Sequence, residues 1–335
     1  MFGSRSLIGR RAWLGAAIAA GAATSWRPAR AADAPAVRLG VLQYGTVQWI
    51  ADVIRRNHLD AAHGFALQAR KLANNDAGRI ALMAGSADVI VSDWTMVASQ
   101  RAAGHRLCFA PFSGALGGVM VRADARLHTL ADLKGKRLGV AGGPFDKSWL
   151  LVRAAGRKEG IDLAAATAVA YGAPPLLDGK FIQGDLDAVL TFWTFVARLK
   201  AKGFREMRSV ADVAQQLGLP AQLGLVGFVF HEDWANANRP AIDGFLAAAA
   251  AAEARLAGSD AEWHAIRPLM NAADPVLFAE LRQRFLAGIA HPSADEEQRT
   301  AARVFAILKA TGGTKATSGL SQLPPGVFWP VAANA

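Results

Sequence analysis

Beyond residue 35 the chain alternates short β-rich runs with stretches of helical periodicity. Residues 37–42 read as a strand, and a helix runs through 49–54, where Trp49, Ile50, Val53 and Ile54 share one face. Residues 65–72 alternate apolar and polar side chains as a strand does, and 78–84 are helical. A short buried strand at 88–91, a helix at 94–103 and a strand at 106–110 follow. This β-α-β-α order predicts a parallel sheet with right-handed crossovers.

A second, similar series begins after the glycine-rich stretch 114–118. Strands are expected at 136–140, 167–171 and 186–190, with helices at 147–160, 174–184 and 192–203. Residues 210–218 then read as a helix and 224–230 as a returning strand. From Asn238 the pattern is almost wholly helical, with Pro240 suited to a first turn. Ser259 with Glu262, and Ser293 with Glu296, have the spacing of capping boxes. No internal repeat period is present. Two α/β lobes are therefore expected, 35–116 with 219–335 and 117–218, crossing near 114–121 and 218–230 and enclosing a cleft.

Residues 1–31 break this pattern. A basic stretch ends in Arg10-Arg11, an Ala/Gly-rich apolar run covers 12–23, and Ala29-Arg30-Ala31 offers a small-residue cleavage site. The segment reads as a signal peptide, similar to the twin-arginine kind, cleaved near Ala31, so that the mature chain is periplasmic. The apolar run is far short of the roughly 20 residues of a membrane span.

Among 335 residues, 52% are hydrophobic and 19% charged, which excludes a disordered chain. The net charge of +10 raises nucleic acid as a partner. Half of that excess sits in the first 31 residues, which hold Arg5, Arg10, Arg11, Arg27 and Arg30 and no acid. The rest is scattered, so no nucleic-acid partner is expected. The single cysteine, Cys108, allows neither an intramolecular disulfide nor a cysteine-based zinc site, and reads as inert packing in a strand.

Open parallel sheets bind ligands beyond the carboxyl ends of their strands, where helix N-termini present unpaired N–H groups. After the first strand stand Tyr44, Gly45 and Thr46; Gly45 permits close backbone approach and Thr46 suits a helix cap. Asn75 and Asp76 follow the second, and Ser92, Asp93 and Trp94 the third. In the second series come Gly142, Gly143, Asp146, Ser148 and Trp149, and later Thr191 and Trp193. Trp94, Trp149 and Trp193 are expected to line a pocket, the alternative being burial as core. Asp93 and Asp146 either cap helices or pair with a cationic group of the ligand, and Lys147 is expected to face solvent.

No reactive constellation accompanies these residues: nucleophile-elbow, phosphate-loop and dinucleotide patterns are all absent. His58 and His63, five apart, do not share a helix face. An enzyme is not expected, nor a cofactor or a resident metal. Asp76, Asp93 and Asp146 are oxygen donors, which keeps a metal-chelate ligand as an alternative.

Three segments carry a family resemblance. Residues 82–89 (LMAGSADV) resemble a helix-to-strand L-x-x-G-x-x-D pattern; 130–140 (LADLKGKRLGV) resemble an L-x-D-L-K-G-K entry to a second lobe; 183–189 (QGDLDAV) resemble a G-x-[IVL]-D-A strand. In this order they resemble the solute-binding proteins of ABC importers of the nitrate/sulfonate/taurine type, which includes binders of pyrimidine precursors. The resemblance implies an α/β, type II periplasmic-binding-protein fold, with two doubly wound lobes and a central ligand cleft. It implies capture of a small organic solute by hinged closure, delivery to an inner-membrane ABC permease, and a monomer. The solute is expected to be sulfonate/taurine-like or amino-aromatic: the acids Asp93 and Asp146 depart from the sulfonate pattern and count against a small anion, and the tryptophans favour an organic molecule with an aromatic or amine group. A pyrimidine-precursor enzyme on the same fold is the alternative.

Overall fold

The computed structural model describes residues 34–42, 45–289 and 293–330; the expected signal segment at 1–31 and Tyr44 lie outside the described residues. Ten strands form two five-stranded sheets. The first holds β1 (Ala36–Leu42), β2 (Ala66–Leu72), β3 (Val89–Asp93), β4 (Leu107–Ser113) and β10 (Val226–His231) in the order β2-β1-β3-β10-β4. The second holds β5 (Gly118–Val121), β6 (Arg137–Ala141), β7 (Ala168–Gly172), β8 (Ala188–Thr191) and β9 (Arg205–Ser209) in the order β7-β6-β8-β5-β9.

Neither sheet is wholly parallel, which corrects the parallel expectation. β10 runs against both β3 and β4, and β5 runs against both β8 and β9. These are the strands that follow the two crossings, and the reason is geometric. β4 leaves the first sheet at its carboxyl edge, and β5 enters the second beside the carboxyl end of β8, Gly118 pairing with Thr191. β9 ends at that same edge, Ser209 pairing with Gly118, and the chain returns to place Val226 beside Asp93 at the end of β3. A chain that crosses between two carboxyl edges must enter each sheet backwards. The two edges consequently face each other.

β5 and β9 escape prediction because they do not alternate. All four β5 residues are buried, whereas all five of β9 (REMRS) are half-buried and three of those are charged. Of the two expected capping boxes, Ser293–Glu296 forms in full. At Ser259 only half does: its hydroxyl accepts the Glu262 N–H, but the Glu262 carboxylate is drawn away by Arg56 at 2.7 Å and Asn57 at 2.9 Å.

Two resemblance motifs turn out to be scaffolding, used once in each sheet. The Arg38 N–H and Nε donate to Asp88 Oδ2 at 2.8 and 2.9 Å, while its Nη1 reaches the Gly85 carbonyl at 2.8 Å. In the second sheet the Arg137 N–H and Nε donate to Asp187 Oδ2 at 2.8 and 3.2 Å, and its Nη2 reaches the Gly184 carbonyl at 2.9 Å. Each aspartate thus ties the turn ahead of one strand to an arginine near the start of its parallel neighbour.

On one face of the first sheet, helices Val47–Arg56, Arg239–Gly258 and Asp260–Met270 enclose Trp49, Phe228, Phe245 and Trp263. A second core runs through both sheets, holding Trp94 and Phe109 of the first with Leu138 and Trp149 of the second. Of the helices after residue 270, Pro275–Ala287 packs both against Trp193–Ala201 of the second sheet and, through Phe285, against Trp49 and Trp263 on the first, while Ala294–Gly312 lies against Lys147–Lys158. Because apolar packing is shared this way, everything from Pro35 onward forms one compact unit. Among the described residues no helix is long and apolar enough to cross a membrane.

Candidate functional site

Strands at the facing edges lead into helix N-termini, whose first N–H groups need partners. Asp93 caps Trp94–Ala102, its Oδ1 accepting the Met96 N–H at 3.0 Å. Asp146 caps Lys147–Lys158, accepting the Trp149 N–H at 3.1 Å. Asn74, rather than its neighbours, caps Asn75–Met83; Asn75 and Asp76 are exposed, and Asp76 pairs with Arg79 at 3.0 Å. Thr46 precedes Val47–Arg56 but closes no cap, because its backbone (φ −74°, ψ −17°) is already helical, whereas a capping side chain needs an extended one. Trp193–Ala201 likewise starts without a side-chain cap, at Phe192.

Lys147 does not face solvent as expected. Its ammonium lies 3.1 Å from Asp93 Oδ2 and 3.4 Å from Thr95 Oγ1, with the two charged side chains only 20% and 29% exposed. A residue of the second sheet's helix therefore grips the end of a first-sheet strand. Burial penalises the Asp93 charge, but the Lys147 ammonium, the Thr95 hydroxyl and the Met96 N–H outweigh it, leaving the carboxyl below its ordinary range. For Asp146 burial wins: Lys147 and the Trp149 and Ser148 amides lower its pKa, Asp93 adds repulsion, and the net shift is upward. One ammonium thus pairs with Asp93 and, through its field alone, also favours the charged form of Asp146.

Glycines shape the same loop. Gly142 has φ +93°, where side chains are strained, and its N–H donates to the Gly172 carbonyl at 2.9 Å. The Gly143 carbonyl accepts the Asp146 N–H at 3.0 Å. Ser148 and Ser92 are half-buried beside these turns, and the Gly45 N–H donates to the Leu42 carbonyl at 3.0 Å.

The tryptophans divide. Trp94 and Trp149 are 1% and 0% exposed, inside the core shared by both sheets. Their expected role as pocket walls is corrected: each sits in the first turn of its helix, where side chains point back toward the helix start and here into the core, leaving no face for a solute. Trp193 is half-buried, its ring 6.2 Å from Trp49 and nearly perpendicular to it, and 6.5 Å from Phe285. Thr191 is buried beside Asp178, whose carboxyl is raised to about 7 by burial, partly offset by the Thr191 hydroxyl and Lys202.

A cavity of about 950 Å³ lies where the crossings pass between the edges. Trp193 lines it, together with Ser113, Gln222, Arg284, Glu297 and Arg303, which sequence reading had not singled out. Ser113 ends β4 where the first crossing begins and Gln222 belongs to the second, and the glycine content of the crossings marked the region but not these residues. Arg284 and Glu297 come from the C-terminal helices and carry no local motif. Arg284 is paired with Glu206, and its Nε is 3.6 Å from Glu280. Glu297 is pushed up to about 7 by burial and then by Glu296.

Three buried carboxyls, Asp178 and Glu297 near 7 and Glu253 near 8, share one consequence. A carboxyl with a raised folded pKa binds more protons folded than unfolded between its two pKa values, so its stabilising contribution falls as pH rises. Stability is expected to decline between about pH 5 and pH 8. Urea denaturation across that range checks this, and Glu253→Gln should flatten the decline.

Among the described residues no three His, Cys, Asp or Glu side chains gather to hold a metal ion. Cys108 is buried, its thiol pushed up to about 12 by burial and then by Glu232, so it carries no nucleophilic thiolate at neutral pH.

Two mixed α/β sheets joined by crossings at facing carboxyl edges define the class: this is the architecture of periplasmic binding proteins. The family model described as NMT1/THI5 like matches residues 61–258, more than half of the chain, and the chain belongs to that family. Among solved structures it is similar to the periplasmic aliphatic sulphonate binding protein SsuA of Escherichia coli, with 19% identity and TM-score 0.67 over 88% of this chain and 95% of that one. The alkanesulfonate-binding SsuA of Xanthomonas axonopodis pv. citri, bound to MOPS, matches at 19% identity and TM-score 0.58 over 89% and 96%. The periplasmic nitrate-binding protein NrtA of Synechocystis PCC 6803 matches at 12% identity and TM-score 0.56 over 88% and 92%. Among curated proteins none matches.

Proposed function

We propose that this protein is the solute-binding component of an ABC importer, exported to the periplasm behind the segment 1–31. In this reading the lobes, 35–116 with 219–335 and 117–218, close as a hinged pair on a small organic solute and present it to an inner-membrane permease. The chain acts as a monomer and performs no chemistry. The observation that carries the reading is the meeting of two carboxyl edges across two short crossings, with Lys147 of one side holding Asp93 of the other at 3.1 Å. Similarity to sulfonate- and nitrate-binding proteins supports it.

A ligand that prefers the folded form raises the melting temperature. The test is a thermal-shift panel of sulfonates, nitrate, amines and amino-pyrimidines, with X-ray scattering of any complex. At least one compound is expected to stabilise the protein and contract its radius of gyration. Failure of the whole panel, with no contraction, overturns the reading.

The Asp93–Lys147 pair then favours the closed arrangement. Asp93→Asn or Lys147→Met is expected to weaken the best solute of that panel about 3- to 10-fold, because apparent affinity scales with the closed fraction. The loss should shrink at high salt, and the double variant should bind no worse than either single one. Titration calorimetry at low and high ionic strength checks both.

A further inference from the structure

With Trp94 and Trp149 in the core, what the site reads on its solute must come from other side chains. Among the described residues nine large hydrophobic side chains are exposed, and five of them, Phe145, Tyr171, Leu176, Phe192 and Val226, stand at the two facing carboxyl edges. Single exposed hydrophobics are ordinary, whereas a concentration of them marks a surface that something covers.

Their neighbours place them. Val226 pairs in register with Asp93, which reaches Lys147 at 3.1 Å, and Phe145 lies two residues before that lysine. Phe192 directly precedes Trp193, whose ring meets Trp49 from the first sheet. Tyr171 is the last residue but one of β7, before Gly172, whose carbonyl holds the Gly142 loop, and Leu176 lies in the first turn of the helix Pro174–Gln183 beyond it. Phe145, Phe192 and Val226 are 43%, 41% and 41% exposed, so each has uncovered area directly beside a contact that joins the two sheets. The charge at this place points the same way: the Lys147 ammonium is held by Asp93 at 3.1 Å and is not a spare cation for an oxyanion.

We propose that the solute carries an aromatic or otherwise apolar body, seated on Phe145, Phe192 and Val226 and covered when the lobes close. The protein thereby selects an organic solute with hydrocarbon surface over a bare inorganic oxyanion. This rests on the solute-binding reading above and adds to it the class of ligand and the residues that read it.

The probe is N-phenyl-1-naphthylamine, an uncharged aromatic dye that brightens in apolar surroundings. It is titrated into the mature chain and into Phe145→Ala, Phe192→Ala and Val276→Ala; Val276 is also exposed but lies in the first turn of the helix Pro275–Ala287, outside the strand-end segments. Exposed rings contribute little to the core, so all three variants should keep the parent melting temperature. The dye should bind one to one and contract the radius of gyration. Its affinity should fall about tenfold in Phe145→Ala and in Phe192→Ala and stay unchanged in Val276→Ala.

Equal dye binding in all four proteins overturns the proposal. So does dye binding without contraction, which would assign the patch to a protein partner. Nitrate or sulfate stabilising the protein more than any aryl compound also overturns it, while leaving the solute-binding reading intact. If neither dye nor oxyanion binds and no contraction occurs, the solute-binding reading fails as well.

Discussion

Replacing Trp149 with alanine is expected to destabilise the protein by about 3–5 kcal/mol, the usual cost of emptying a tryptophan-sized site in a core. The ring is wholly buried in the core common to both sheets, and Arg153 lies over it at 5.9 Å from its centre. The Trp149 backbone N–H is separately held by Asp146 at 3.1 Å and survives the substitution, so the helix start keeps its cap. The loss should therefore appear in the urea midpoint, with solute affinity of the folded fraction changed only slightly. An unchanged midpoint together with weakened binding would restore Trp149 to the pocket wall that sequence reading made it.

Gly117→Ala is expected to cost about 3 kcal/mol or more, at the upper end for overpacking, and to impair solute binding as well. A β-carbon there would overlap the carbonyl oxygen of Thr191 and lie 3.0 Å from its carbon and 3.2 Å from the Phe192 Cα. All three are backbone atoms, so no side chain can swing aside. Gly117 also accepts the Val210 N–H at 2.9 Å, which pins it between β5 and the helix after β9. Relief would have to move the end of β8, which carries Thr191, Phe192 and Trp193 into the gap. Gly143→Ala is the control, since a β-carbon there meets nothing within 4 Å. Expression yield, urea midpoint and dye affinity of the two variants check the contrast, and equal behaviour would mean that the crossing is loose.

Much of the scaffold was legible because its signals are local. The runs that became β1, β3, β6 and β8 are short and apolar, and the aspartates and serines at helix starts announce their caps. Asp93 and Asp146 stand as caps or as partners of a cationic group on the solute; both cap their helices, and Asp93 also pairs with the protein's own Lys147. β5 and β9 were illegible for opposite reasons: one is buried on all residues and the other half-exposed on all, so neither has a period of two.

The site was legible only as a set of places. Strand-end segments pointed to the two edges that face each other, because a chain leaving a parallel sheet must start its helix there. They did not say which side chain on each segment faces the gap. Trp94 and Phe192 each adjoin a helix start at a strand end, yet one is 1% exposed and the other 41%. Only the packing of the next layer decides that.

By itself, then, the sequence determined the α/β elements and their two series, since these depend on residues near in the chain or on periodicity, whereas the ties of Asp88 to Arg38 and of Asp187 to Arg137 each span 50 residues. The tertiary structure decided the antiparallel entry of β5 and β10, the Lys147 bridge to Asp93, and the arrival of Arg284 and Glu297 at the crossings. Each of these joins groups far apart along the chain. Such contacts are settled by which surfaces bury each other, and no local spacing encodes that.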